Sequence, residues 1–492
     1  MRATMRRAII VLIALAVGLG TRASSAAKAI SVDTWMSVYM GPVKVGYQHV
    51  TVARDTSEGE CAYRLCEMRA TAIRTQGVTH RATYTDTLFL DAGLRPLSGV
   101  SEKIDDGVTT LTSARFFSDR VECTQTTGEQ TVTKVIAIPQ GADLSVRPAY
   151  LAGRLAPSAG ESISAYGLDF SKMAFFHNEL RAVERRPIIY RGANQSALIV
   201  RYGDNEQDMT DWRLDTGEII RTEIPRLGTQ LVATTSKDAL AEVALGDLGK
   251  VEADKPIPDP SHARDLSLRL TGVPDKGFAI SDSRQSAEFD SKELSVTYRI
   301  HAAPFDPRKS ATLPIRRRGL ATWLQPGKGI ESNDRNIAAQ ARSIVGSEKS
   351  AYEAARKLTA WVHDNVKQVR EASAEPSAVA VLKDRAGLCR HNAVLYAALA
   401  RAVGIPTRLA SGIMYDGSAF AFHTWAESWV GQWVAMDPTF GGDLVDATHV
   451  KLLQGGVEDL SSIARVIGRL RAEILDPTRQ TPPAPAHQDP GR

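Results

Sequence analysis

Residues 387–406 read GLCRHNAVLYAALARAVGIP, a run whose apolar side chains continue almost unbroken from Ala393 to Ala400. That density predicts a buried helix. Gly404 punctuates its end, and Ile405-Pro406 stops it. At the other end Cys389 follows Gly387-Leu388, at the mouth of the helix. The first turn of a helix has N–H groups without intrahelical partners, and the positive end of the helix dipole there stabilises a thiolate. A cysteine in that place is either a small buried apolar residue, the common fate of a free cysteine, or a nucleophile. The flanking sequence discriminates between the two.

Upstream, NIAAQARSIV and YEAARKLTAWVHDNV carry apolar residues at helical spacing. Downstream, TRLASGIMYD, FHTWAESWV and QWVAMDP read as three strands. Helices followed by strands in a block give an α+β domain, expected over 332–455. Two of those strands carry His423 and Asp437. A cysteine nucleophile needs a base for its proton, and that base needs an acceptor on its second ring nitrogen to fix its tautomer. Register decides whether the two meet. A two-residue loop at Gly431-Gln432 would put Asp437 opposite Ala426 and send the side chains to opposite faces. A hairpin centred on Gly431 puts Asp437 opposite Trp425, on the face of His423. A Cys389, His423, Asp437 triad therefore requires the odd-length loop or a bulge.

The run SAVAVLKDRAGLCRHNAVLYAALARAVGIPTRLASGIMYDG, with FHTWAESWVGQWVAMDPTF, resembles the core of the transglutaminase-like superfamily, which has a papain-like arrangement. A Gly-x-Cys helix start, an Ala-Arg-Ala-x-Gly-Ile-Pro helix end, a His-x-Trp-x-Glu strand and an Asp-Pro strand end occur here in that order. DATHVKL, Asp446 to Leu452, resembles the segment that follows the core in exported members. The resemblance implies a nucleophile at Cys389, a base and acid at His423 and an orienting carboxylate at Asp437. It implies acyl transfer at an amide bond through a thioester, with no cofactor. Water as the acceptor gives a peptidase or amidase, and a lysine amine gives a cross-link. Hydrolysis is slightly favoured, because an open cleft meets water far more often than an amine. Two departures stand out. Leu388 occupies a place that is acidic in many members, and no side chain is assignable to the oxyanion. Trp361 reads as core, which leaves the backbone N–H of Cys389 as donor. Two alternatives come from other classes: a zinc site made by Cys389, His391 and His423, and an inactive binding module in which the β domains recognise a partner.

The rest of the chain supplies the setting. Residues 1–29 combine Arg2, Arg6 and Arg7 with an apolar run from Ala8 to Gly20 and an Ala27-Lys28-Ala29 ending, the pattern of a cleaved export signal. The apolar run falls short of the roughly 20 residues that span a bilayer. A periplasmic or secreted protein is expected, with no membrane span after cleavage. Five of the 60 basic residues and no acidic one lie in that segment, leaving 55 basic against 56 acidic residues. Near-neutrality gives no reason to expect nucleic acid as a partner. The expected partner is a protein or peptide substrate, of the cell envelope if the chain is exported; oligomeric state is not legible. Alternation around turn signals predicts a β-rich domain over 30–250 and a small β module over 263–312, so that two antiparallel β domains precede the core. KVEADKPIPDPSHAR reads as the linker between them. An amphipathic helix is expected over 456–475 and a disordered proline-rich tail over 476–492. Cys61, Cys66 and Cys123 fall in the β-rich domain, where any pairing among them stays open.

Overall fold

The computed structural model describes residues 31–55, 61–75, 78–203, 209–243, 247–302, 304–369, 376–442 and 445–476. The export signal expected over 1–29 lies outside the described residues, as does the tail expected over 476–492 except for Asp476, which ends a strand. Among those residues, no helix is long and apolar enough to cross a membrane.

Fourteen strands between Val32 and Thr234 make one antiparallel sheet. Eight follow one another from Val32 to Ala137 and six from Ser162 to Thr234. The two runs join where Val32–Met40 pairs with Thr229–Thr234, Met40 opposite Thr229. Local alternation explains the strands: Met36, Val38 and Val45 are buried around the Gly41-Pro42 turn, where Gly41 takes a left-handed φ of 55°. A helix, Val146–Leu151, connects the two runs and packs against Ser162–Asp169. Cys61, Cys66 and Cys123 are free thiols.

The expected linker is part of the core. Lys250–Val251 is a short strand on the edge of Phe420–Trp429, and Val251, Ile257 and Ala263 are buried in the cluster that holds the small β module against the core sheet. Its prolines interrupt any period, but the apolar residues between them still find a groove to fill. The small module contains Asp265–Thr271, Gln285–Asp290 and Ser295–His301, and its fourth strand, Arg471–Asp476, comes from the far end of the chain.

That fourth strand corrects the helix expected over 456–475. Only Val457–Leu460 is α-helical; Ser461–Val466 is a 3-10 turn, and Gly468 at φ 73° breaks the run before the strand. Ala472 and Ile474 alternate into the core beside Asp265–Thr271. A ladder partner about 200 residues away overrides the helical spacing.

In the core domain the helix Cys389–Ala402 is surrounded by Arg335–Val345, Ala351–Asn365 and Ala378–Asp384, with every side chain from Ala393 to Ala400 buried. Its sheet has Thr407–Tyr415 between Phe420–Trp429 and Val450–Gly455, and Trp433–Met436 pairs with Phe420–Trp429. The small module is bolted to this sheet through polar groups. Lys451, fully buried, places Nζ 2.6 Å from Glu427 and against Asp282, while Gln285 bonds both its backbone N–H (2.9 Å) and its carbonyl (2.7 Å). Arg408 holds the other Glu427 oxygen at 2.8 Å. Lys451→Met should therefore leave two carboxylates facing each other without their shared cation. We expect a loss of about 3–5 kcal/mol in urea unfolding; a loss under about 1 kcal/mol would show that the network is not holding the module.

Candidate active site

The helix starts at Cys389 because of what stands before it. Leu388 is extended, and its backbone N–H donates to Nδ1 of His391 at 3.3 Å, closing the first turn. A Cβ on Gly387 would meet the Cβ of His391 at 2.5 Å, so the turn requires glycine there. This arrangement presents the partly exposed Cys389 side chain at the helix mouth.

The hairpin has the odd-length loop. Trp429 pairs with Trp433 and Ala426 with Met436, leaving Val430, Gly431 and Gln432 as the loop. Gly431 has φ 130°, and a Cβ there would meet the Lys309 carbonyl at 2.5 Å. Continuing the register puts Asp437 opposite Trp425. His423 and Asp437 accordingly share a face, and His423 Nε2 lies 2.6 Å from Asp437 Oδ2. Nδ1 is left for the sulfur: His423 hydrogen-bonds the Cys389 thiol, which also accepts from the backbone of Thr424. The outer edge of the His423 strand is covered by Lys250–Val251 at one end and by Trp433–Met436 at the other. Cys389 sits at the gap between them.

Each group favours the charged form of the next. Burial opposes ionisation of the Cys389 thiol, but the hydrogen bond and charge of His423, with the Thr424 backbone, outweigh it and lower the pKa. Burial likewise opposes the imidazolium of His423; the Asp437 carboxylate overcomes this and, with Cys389, raises the histidine well above its ordinary value. Burial would raise Asp437, yet His423 and His449 keep it well below the usual carboxylate range. The Thr439 N–H also donates to Asp437, at 2.8 Å.

His449 is the participant that sequence reasoning missed. Buried, it points Nε2 at the same Asp437 oxygen, 3.2 Å away, and turns Nδ1 to Asp446 at 3.3 Å. Arg284 of the small module is hydrogen-bonded to the carbonyls of both Asp446 and His449, so that module braces the far side of the carboxylate. The only signal was DATHVKL, which includes His449. Trp425 stacks on His423 with centroids 6.1 Å apart, and exposed Phe440 stands 5.6 Å from it.

A cleft of about 610 Å³ opens on Cys389 and His423. Its walls include Gln368, Phe422 and Phe440 from the core, together with Asp247 and Lys250 from the connecting segment and Arg74 from the large β domain. Among the described residues, the metal-ligating side chains that converge are His423, Asp437 and His449, whose donor atoms lie within 4.8 Å of one another. Hydrogen bonds among themselves already account for their placement. The alternative set of Cys389, His391 and His423 is not assembled, because His391 is turned to close the helix start.

Comparison with known proteins places the family match over the elements that carry this site. Residues 338–438 match the transglutaminase-like superfamily. No curated protein matches the chain. A candidate cysteine protease from Cytophaga hutchinsonii is 18% identical over 45% of this chain and 90% of its own, with a TM-score of 0.32. A β-barrel-like domain of unknown function from Brucella abortus is 9% identical over 42% of this chain and 96% of its own, with a TM-score of 0.31. A candidate protease from Parabacteroides distasonis is 10% identical over 75% of this chain and 65% of its own, with a TM-score of 0.21. Superpositions this distant carry no argument about activity. With the family match spanning the cysteine and histidine elements and ending one residue past Asp437, residues 338–438 form a domain of the transglutaminase-like superfamily.

Proposed function

We propose that the chain is a cysteine enzyme that hydrolyses an amide bond of a protein or peptide, acting outside the cytoplasm if residues 1–29 direct export. The observation that carries this is the chain of contacts from Cys389 through His423 to Asp437, at the mouth of a buried helix and open to a cleft. The Cys389 thiolate attacks the carbonyl carbon, and the carbonyl π pair moves to oxygen. The first-turn backbone N–H of Cys389 is the donor assigned to that oxyanion, and Gln368 lines the same cleft. Collapse breaks the C–N bond as His423 gives its proton to the departing amine, leaving a thioester. His423, now neutral, takes a proton from water, whose oxygen attacks the thioester and releases the acid. The thiolate and imidazolium are thereby restored. Asp437 stays ionised throughout and orients the ring.

The nature of the acceptor is tested by products. A peptide library is incubated with the full chain in heavy-oxygen water, with a primary amine added, and analysed by mass spectrometry. New carboxyl termini carrying the heavy oxygen are expected, and neither they nor amine adducts should form with Cys389→Ala. Amine adducts in excess would overturn hydrolysis in favour of cross-linking. Neither product across a broad library would favour the inactive binding module.

A further inference from the structure

The inner face of the large β domain is apolar where Leu65, Ala114 and Cys123 are buried, and turns polar two residues away along each of those strands, in register. Where a sheet closes over an interior, apolar residues turn in and polar residues out. Across the five strands from Tyr63–Thr75 to Arg120–Thr127, Glu67 pairs with Asp86, Asp86 with Ser101, Ser101 with Thr112 and Thr112 with Gln125. These five side chains form one polar row, and all of them line a cavity of about 470 Å³. Meanwhile Val100, Ile104 and Leu111, on the alternate positions, are exposed at 37, 36 and 45%. A slip of one residue would bury those three and expose the row, but would also expose Leu65, Ala114 and Cys123. The register is set by those apolar residues, and the polar row is what it carries inward beside them, at a cavity rather than in packed core.

The opposite wall is aromatic. Tyr166, Phe170 and Phe176 line the same cavity, and Gly99 admits the Phe170 ring, which a Cβ there would meet at 2.7 Å. The space therefore has a hydrogen-bonding side and an apolar, flat side. Its cations are matched, Arg147 by Glu67 at 2.6 Å and Lys103 by Asp105 at 2.7 Å, whereas the buried carboxyl of Asp86 bonds Ser101 and has no salt bridge among the described residues. An anionic ligand finds no unmatched cation there. An extended peptide finds no backbone either, because each of the five strands is paired on both sides. A sugar ring fits both walls. Its hydroxyls each donate and accept, as a row of carboxylates, hydroxyls and a carboxamide requires, and its C–H face is apolar and suits an aromatic surface. Gln125 is already oriented by donating to Thr112 at 3.0 Å.

From this juxtaposition we infer that the large β domain binds a neutral oligosaccharide between the polar row and the aromatic wall. The site is separate from Cys389, so binding does not depend on the proposed hydrolysis. The test uses the full chain as Cys389→Ala, titrated by saturation-transfer NMR and calorimetry with chitotetraose, cellotetraose and maltotetraose, and with tetra-alanine as the peptide arm. At least one sugar should bind saturably, and the combined change Thr112→Val and Gln125→Leu should weaken it by about tenfold or more through loss of two hydrogen-bonding groups. Tyr166→Ala, on the facing wall, provides a second reading should the paired variant not fold. No sugar binding at millimolar concentration, binding of tetra-alanine alone, or sugar binding indifferent to both walls would overturn the assignment.

Discussion

Cys389→Ala is expected to lower amide turnover by on the order of 10⁶-fold, the scale of losing the nucleophile from a unit whose members act together. Folding should be almost untouched. The side chain is partly exposed at the first position of the helix, and alanine is the best helix former, so no cavity and no propensity penalty results. The other thiols give an internal control. Burial pushes the Cys61 and Cys123 thiols up, whereas Cys389 is pulled down by His423 against its own burial. An alkylating reagent near neutral pH should therefore react with Cys389 well before Cys61 or Cys123 and abolish turnover in step with that one modification. Turnover persisting in Cys389→Ala, with an unchanged unfolding midpoint, would remove Cys389 from the chemistry.

How much of this was legible in the sequence depended on how far apart the deciding residues lie. The helix at Cys389 and the strands after it were readable because period and punctuation are local: apolar density from Ala393 to Ala400, then Gly404 and Pro406. The hairpin was readable because its register follows from the parity of one loop. Arg471–Asp476 was not, since its helical spacing is genuine and only the distant strand Asp265–Thr271 makes it extended. Lys250–Val251 failed in the same way: two residues cannot announce a strand, and their partners, Ala421 and Phe420, lie 171 and 169 positions downstream.

The site divides along the same line. Cys389, His423 and Asp437 sit on elements whose order and spacing carry the pattern. His449 reaches Asp437 only because Val450–Gly455 joins the sheet beside Thr407–Tyr415, and Arg284 braces it from a module that looked like a separate domain. Gln368 is placed at the cleft by a two-residue parallel pairing with Ala386–Gly387, too short to leave a periodic trace. The interior row in the β domain was visible residue by residue, but which face turned inward depended on how the sheet curves.

The pH dependence of Cys389 alkylation should separate the members of the relay. The reactive species is the thiolate. In the native chain its pKa is lowered, so alkylation should remain appreciable well below the ordinary thiol value of about 8.5. His423→Ala removes both the hydrogen bond and the cation and leaves burial opposed only by the Thr424 backbone. The limb should move up past the ordinary value, with the rate near pH 6 falling on the order of 10²-fold or more. Asp437→Asn acts with two signs. Its negative charge opposes the thiolate directly, but it also holds His423 in the cationic form that favours the thiolate. The two partly cancel, so the alkylation limb should move less than in His423→Ala. Turnover should still suffer, because the ring loses its fixed orientation and its raised pKa, and the high-pH limb, where the imidazolium proton is lost, should shift downward. His449→Gln keeps a donor near the same carboxylate and should shift both limbs least. The limbs report the coupled pair rather than either residue, so the order of the three variants is the decisive quantity. A native profile matching an ordinary thiol and unmoved by His423→Ala would show that the contact between Cys389 and His423 carries no charge, and would leave the cleft without a nucleophile.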